Sequence, residues 1–118
     1  MPHIAVYGRE KHVAAVRDVL HEQLVECLAT AWEIAPDQIF IRFIGLADTD
    51  FRYSDSYGER FTYIELIAFE GRPVARRREF LRLLYDRVPA ACGIPPTDLE
   101  IMMHETPRHD GGVGGRPA

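Results

Sequence analysis

Between His12 and Trp32, Val13, Val16, Leu20, Leu24, Leu28 and Ala31 recur at three- and four-residue spacing, with polar residues filling the gaps. That spacing predicts an amphipathic helix. The residues ahead of it, Pro2-His-Ile-Ala-Val-Tyr7, read as a short strand. After it, Ile39 to Leu46 (IFIRFIGL) is β-branched and aromatic and is introduced by the turn-like Ala35-Pro36-Asp37, so a second strand is expected. The same order then returns. Phe61 to Phe69 (FTYIELIAF) reads as a strand, Ala75 to Ala91 as a helix with Phe80, Leu81, Leu84 and Val88 inward, and Leu99 to His104 as a final strand.

The recurrence has the form of an internal repeat. Ile34-Ala-Pro-Asp-Gln-Ile39 and Ile94-Pro-Pro-Thr-Asp-Leu99 superpose without a gap at an offset of 60, and Gly8-Arg9 and Gly71-Arg72, each after the opening strand of its half, lie 63 apart. The expected architecture is therefore an α/β (α+β) fold of duplicated β-α-β units: a four-stranded mixed sheet with two helices on one face. Residues 1–118 form one domain, with halves at about 2–46 and 61–104. Two helices leave the second face of the sheet uncovered. Because Ile39, Ile41 and Phe43 alternate with Phe40 and Ile44, that face is apolar too and calls for a second subunit. The connector from Ala47 to Arg60 reads as a solvated loop, although its aromatic residues Phe51, Tyr53 and Tyr57 offer cover for a site or a partner. The glycine-rich ending Gly111-Gly-Val-Gly-Gly115 is expected to be disordered, or held by neighbouring chains.

Composition narrows the function. A net charge of −4 argues against a sequence-independent nucleic-acid binder, which needs a positive field to displace counterions. No apolar run approaches the roughly 18 residues of a membrane span, and the start lacks the layout of a secretion signal, so a cytoplasmic protein is expected. Cys27 and Cys92 are too few and too far apart for a disulfide framework or a paired ligand site, and both read as buried small hydrophobes. The chain has 13 arginines but one lysine, Lys11, and two serines, Ser54 and Ser56, neither in a GxSxG elbow. Serine hydrolysis is disfavoured on this ground. His104 and His109 lie near Glu105 and Asp110, but at no metal-ligand spacing, so neither a metal site nor a cofactor is expected.

Pro2 is the residue with distinctive chemistry. Proline after an initiator methionine permits removal of Met1, which leaves a secondary amine at the head of a strand. An α-amino group titrates at roughly 7.7–8.0, far below lysine, and burial or nearby cations lower it further, so a neutral amine acts as a general base near pH 7. Arg42 interrupts an apolar strand and needs a partner. An ion pair with Glu65 or an interface contact is the favoured reading, ahead of a ligand. The run Arg76-Arg77-Arg78 at a helix start reads as a solvated face, where an anionic neighbour would relieve the unfavourable dipole.

The start Pro2-His-Ile-Ala-Val, the Gly-Arg after the first strand of each half, the Ile-x-Pro approach to each second strand and the ending from His104 to Gly115 together resemble the tautomerase superfamily over nearly the whole chain. The closest likeness is to its fused, double-length bacterial branch. That resemblance implies a keto-enol tautomerase in which the N-terminal proline moves a proton on a small keto or enol carboxylic acid. It also implies arginines on the carboxylate and assembly as a homotrimer. By position, Arg72 matches the arginine after the third strand in decarboxylase-like members, and Arg9 the arginine after the first strand in 4-oxalocrotonate tautomerase. A guanidinium suits both tasks, since it grips a carboxylate bidentately and stabilises an enolate. This chain departs from family patterns at Glu100, Gly111, Val74 and Gln38, where an arginine, an aromatic residue, a second arginine and an aspartate stand in particular members. Dehalogenase, hydratase or decarboxylase chemistry would use the same base.

Two other readings share the same pattern of elements. One is a non-catalytic ligand-binding or regulatory βαββαβ domain, for which RNA is a poor ligand because neither LEIMMH nor FTYIELIAF supplies a basic aromatic strand motif. The other is an assembling homo-oligomer that kept the fold and lost the reaction.

Overall fold

The apolar stripes of the two long helices and the inward residues of the strands meet in one core. The computed structural model describes residues 1–118. Strand β1 (His3–Arg9) runs into helix α1 (Glu10–Trp32) and then β2 (Phe40–Leu46), and the order repeats as β3 (Thr62–Phe69), α2 (Val74–Cys92) and β4 (Leu99–Thr106). The sheet order is β2-β1-β3-β4, with β1/β2 and β3/β4 parallel and the central β1/β3 pair antiparallel. That is the mixed sheet expected of two β-α-β halves placed head to tail. No helix is long and apolar enough to cross a membrane.

Both helices lie over one face. Ile4 and Val6 of β1, Ile64 and Leu66 of β3, Leu20, Leu24 and Leu28 of α1, and Phe80, Leu84 and Val88 of α2 are almost wholly buried there. Each such side chain contributes about 1.5–3 kcal/mol by leaving water. The expected face of α1 is correct throughout, but in α2 it is Leu83 that enters the core, while Leu81 stays at its margin. A half-turn of doubled leucines leaves the periodicity ambiguous at that point. Cys27 is fully buried as expected, whereas Cys92, at the end of α2, is only half-buried.

Three polar segments are better ordered than their composition implies. In the connector, Phe51, Tyr53 and Tyr57 all stack against Phe61, with centroids 4.8–5.7 Å from it, so this is not merely a solvated loop but an aromatic cap over the start of β3. The glycine-rich ending forms its own hairpin, β5 (Gly112–Val113) against β6 (Arg116–Pro117). Gly114 and Gly115 both take positive φ, the backbone of a type I′ turn, so the tail has a regular local shape where disorder was one expectation. At the head of α2, Arg76 pairs with Glu33 at 2.7 Å and Arg77 with Glu105 at 3.1 Å, so two of the three arginines tie α2 to the end of α1 and to β4 instead of forming a solvated face.

The opposite face of the sheet carries no helix. His3, Ala5, Tyr7, Phe40, Arg42, Ile44, Glu65, Ile67, Met102 and His104 point out of it, as the alternation of burial and the strand registers require. Phe40, Ile67 and Met102 are each more than two-fifths exposed. Arg42 and Glu65 flank Ala5 from either side, yet the expected pair does not form: Glu65 lies 3.3 Å from His104, and Arg42 stands exposed.

His12, near the start of α1, is buried with its Nε2–H donating to Thr62 Oγ1 at 2.8 Å, because the Thr62 hydroxyl proton is committed to the Arg60 carbonyl at 3.0 Å. Burial first, and then the Arg60 charge, hold its pKa below the ordinary 6.5, against the pull of Asp98. The unfolded chain therefore takes up a proton before the folded one does. Stability is full above about pH 6.5 and is lost as pH falls through the depressed folded-state value. Thermal unfolding between pH 7.5 and pH 5 is expected to show a steeper loss of Tm in the wild type than in His12→Gln. Parallel curves would place the acid sensitivity elsewhere.

Candidate active site

One end of the sheet gathers the residues around the chain start. Pro2 precedes β1, is buried, and accepts a hydrogen bond at its carbonyl from the Phe40 amide at 3.1 Å. The antiparallel register pairs His3 with Ile67, so the chain start lies at the end of the sheet where β3 finishes. β3 and β4 end together there, with Phe69 opposite Thr106 and the Glu70 amide donating to the Thr106 carbonyl at 3.0 Å.

Two arginines enter this end from different elements. After β3 the chain reverses at Gly71, whose φ of 120° lies in the region that favours glycine, and delivers half-buried Arg72 immediately before α2. Its guanidinium lies over the ring of Trp32, 4.3 Å from the centroid. Trp32 is itself fixed, being largely buried with its indole N–H donating to the Arg76 carbonyl at 3.1 Å. After β4, Pro107 starts a short 3-10 turn that carries Arg108, whose guanidinium lies 5.0 Å from the centre of Phe69. Stacking on a ring holds a guanidinium flat and leaves its N–H edge free for an anion.

The electrostatics follow from this placement. Burial, and then the charges of Arg72 and Arg108 in that order, lower the pKa of the Met1 amino group, one residue ahead of Pro2, from its ordinary 8.0. Arg72 is lowered as well, by burial and by Arg108, with Glu105 opposing. The carboxylate of Glu105 is engaged by Arg77, and neither Arg72 nor Arg108 forms an ion pair within the chain. The chain start thus lies in the field of two guanidinium groups without carboxylate partners, which favours the neutral form of an amine placed there.

The other sequence candidates lie elsewhere. Arg9 is at the far end of β1, seven residues and about 23 Å of extended strand from Pro2, where it stacks on Tyr53 at 4.7 Å and lies 3.6 Å from Asp48. Arg42 is on the uncovered sheet face beside Ala5. Of the three arginines, Arg72 alone bears electrostatically on the Met1 amine beside Pro2. A cavity of about 660 Å³ opens beside Arg9, between the starts of α1 and the end of the connector, with Cys92 in its wall. It occupies the repeat-related position: Cys92 stands sixty residues after Trp32, and a small side chain leaves space where the indole fills it. Of its arginines, Arg60 donates to the Gly93 carbonyl at 2.7 Å, whereas Arg9 lies 3.6 Å from Asp48 with its Nε buried and without a hydrogen-bond partner.

The departures in sequence also find physical reasons. Val74 is exposed at the first turn of α2 and brings no charge. A side chain at Gly111 would meet the Phe69 ring, since a Cβ built there lies 2.5 Å from it, so Phe69 occupies the space an aromatic residue at that point would need. Glu100 accepts a hydrogen bond from Tyr57 at 3.2 Å and belongs to the opposite end of the sheet. Arg108 and Trp32 were absent from the sequence candidates. Trp32 is the only tryptophan, which was a signal, but its partnership with Arg72 spans the two halves and appears only in the fold.

Comparison with known proteins places these features in a family. A family model described as tautomerase enzyme matches residues 38–114. Among solved structures, a native fused 4-OT is 18% identical with a TM-score of 0.86, the match covering 98% of this chain and 94% of that one. A wild-type fused 4-OT asymmetric trimer is 19% identical over 98% of this chain and 94% of its own, with a TM-score of 0.81. A third protein, crystallised after inactivation by 2-oxo-3-pentynoate, is 14% identical over 97% and 93% of the two chains, with a TM-score of 0.85. At these identities the likeness is one of fold.

Proposed function

This chain belongs to the tautomerase family, and from that premise we propose that it is an isomerase whose general base is the secondary amine of Pro2, freed by removal of Met1. The observation that carries the reading is that Arg72 on Trp32 and Arg108 on Phe69, both without carboxylate partners, bear electrostatically on the Met1 amine, one residue from the buried Pro2. In this scheme a small enol carboxylic acid binds with its carboxylate on Arg72. The Pro2 nitrogen accepts the enol proton, negative charge develops on the enolate oxygen, and the resulting ammonium returns the proton to carbon. The proton borrowed is the proton delivered, so no co-reactant is needed. The absence of charge at Val74 makes decarboxylation the weaker alternative. Ketonisation of phenylenolpyruvate, followed by loss of enol absorbance with processed protein, tests the reading. Binding of the enol acid without acceleration would support the non-catalytic ligand-binding alternative instead.

The working form in this proposal is a homotrimer. Phe40, Ile67 and Met102 on the uncovered sheet face give an apolar surface of the kind that a second subunit buries, and a structurally similar fused 4-OT assembles as a trimer. Native mass spectrometry at micromolar concentration is expected to show three chains, and Met102→Glu to shift the population towards monomer by placing an unpaired charge in the interface. A wild-type monomer under those conditions would remove the interface assignment.

A further inference from the structure

We infer that Arg42 of one protomer pairs with Glu65 of the next across the helix-free sheet face, so that this charge pair sets how copies of the chain fit together. The inference rests on the trimer of the proposed function and adds to it the contact that fixes its geometry.

The strand registers lay that face out in rows. One row runs Arg42, Ala5, Glu65, Met102 across β2, β1, β3 and β4, between apolar Phe40 and Ile67 on one side and the stacked Tyr7 and Tyr63 on the other. The row is electrically divided. Its guanidinium stands on the β2 edge of the sheet, and its carboxylate stands towards the β4 edge.

Within one chain the two charges stay apart. Ala5 and two strand spacings of about 4.8 Å each separate them, and Arg42 enters no ion pair. Glu65 Oε2 lies 3.3 Å from His104 Nε2, which leaves its Oε1 for another partner. The other carboxylate on this face, Glu100, already accepts from the Tyr57 hydroxyl at Oε1.

A guanidinium on a face that becomes covered opposes association unless a carboxylate meets it, because desolvating an unpaired charge is costly. A second copy supplies that carboxylate. In a ring each contact is heterologous, the β2 side of one protomer meeting the β4 side of the next. Arg42 on one side and Glu65 towards the other are complementary in such a contact, whereas two β2 edges brought together would oppose arginine to arginine. Met102, next to Glu65 in the row and more than half exposed, is placed to cover the aliphatic stem of the incoming arginine.

Wild type, Arg42→Glu, Arg42→Lys and the exchange Arg42→Glu with Glu65→Arg are compared by sedimentation over a concentration series at low salt. Native mass spectrometry counts the chains, and circular dichroism verifies the fold. Arg42→Glu sets carboxylate against carboxylate, and is expected to raise the concentration at which half the chains are assembled by about tenfold or more, the scale of one charged partner lost. Arg42→Lys keeps the charge without the planar fork and is expected to fall between the two. The exchange is expected to recover most of the loss. Should Glu65→Arg disturb β3, the cycle of Arg42→Met and Glu65→Gln takes its place: a double variant that loses no more than either single one marks a coupled pair. Assembly indifferent to Arg42→Glu, or a folded exchange or cycle that shows neither recovery nor coupling, would overturn the inference and leave the trimer standing. A wild-type monomer would defeat both.

Discussion

Protein from which Met1 has been removed is expected to ketonise phenylenolpyruvate, and protein that retains Met1 is expected to lose about 10²–10⁴-fold of that rate, the range a positioned general base supplies. The reason is the state of one nitrogen. With Met1 attached, the Pro2 nitrogen is an amide whose lone pair is delocalised into the carbonyl, and it cannot accept a proton. The methionine amine that would then begin the chain lies one residue farther from the strand, with its side chain exposed. Burial and the charges of Arg72 and Arg108 lower an amine at this end of the sheet, and the sign of the pH dependence follows. The base must be neutral to act, so kcat/KM rises with pH as the Pro2 amine loses its proton and then levels off. Arg72→Ala and Arg108→Ala, by removing positive charge, are expected to move that inflection upward. Pro2→Ala keeps an N-terminal amine but makes it primary and less constrained, so partial activity is expected. Equal rates from processed and methionine-bearing protein, with their masses verified, would eliminate Pro2 as the base.

Most of the scaffold was legible because its signals are local. The stripe from Val13 to Ala31 and the alternation in IFIRFIGL fix both element type and buried face, and helix and strand ends then shift by only one or two residues. What the pattern did not show depends on distant partners. The connector's tyrosines count as polar loop residues until Phe61 is seen beneath them. The tail contains the Gly-Gly pair of a type I′ turn, but its two strands are only two residues each, too short to register as alternation. Arg42 looked buried because its strand is apolar on both faces, whereas its own face carries no helix and leaves it exposed. The site divides in the same way. Pro2 and Arg72, as members of the proposed site, were suggested by position and by the family resemblance. Arg108 was not, since nothing in Pro107-Arg108-His109 shows that the turn folds back across Phe69.

The same geometry sets the expected cost of Arg72→Ala. Arg72 is the guanidinium most strongly felt by the Met1 amine beside Pro2 and the one stacked on the buried indole of Trp32, so it is pre-positioned before substrate arrives. If it binds only the carboxylate, ground state and transition state are stabilised alike. The loss then appears in KM and is about 1.5–3 kcal/mol, roughly tenfold or more in kcat/KM. If it also faces the enolate oxygen, charge develops against it during the reaction, and its removal costs about 10²–10³ in kcat, as for an oxyanion donor. The latter is expected, because the amine and the arginine share one end of the sheet and the carboxylate and enolate oxygens of a 2-hydroxy enol acid are neighbours on adjacent carbons. Arg72→Lys is expected to recover charge but not the planar fork, and so to restore binding better than turnover. Steady-state kinetics on wild type and both variants separates the two cases. Circular dichroism and Trp32 emission in the absence of substrate show whether the indole has kept its place once its cation is gone. A folded Arg72→Ala protein with unchanged kcat and KM would take Arg72 out of the reaction.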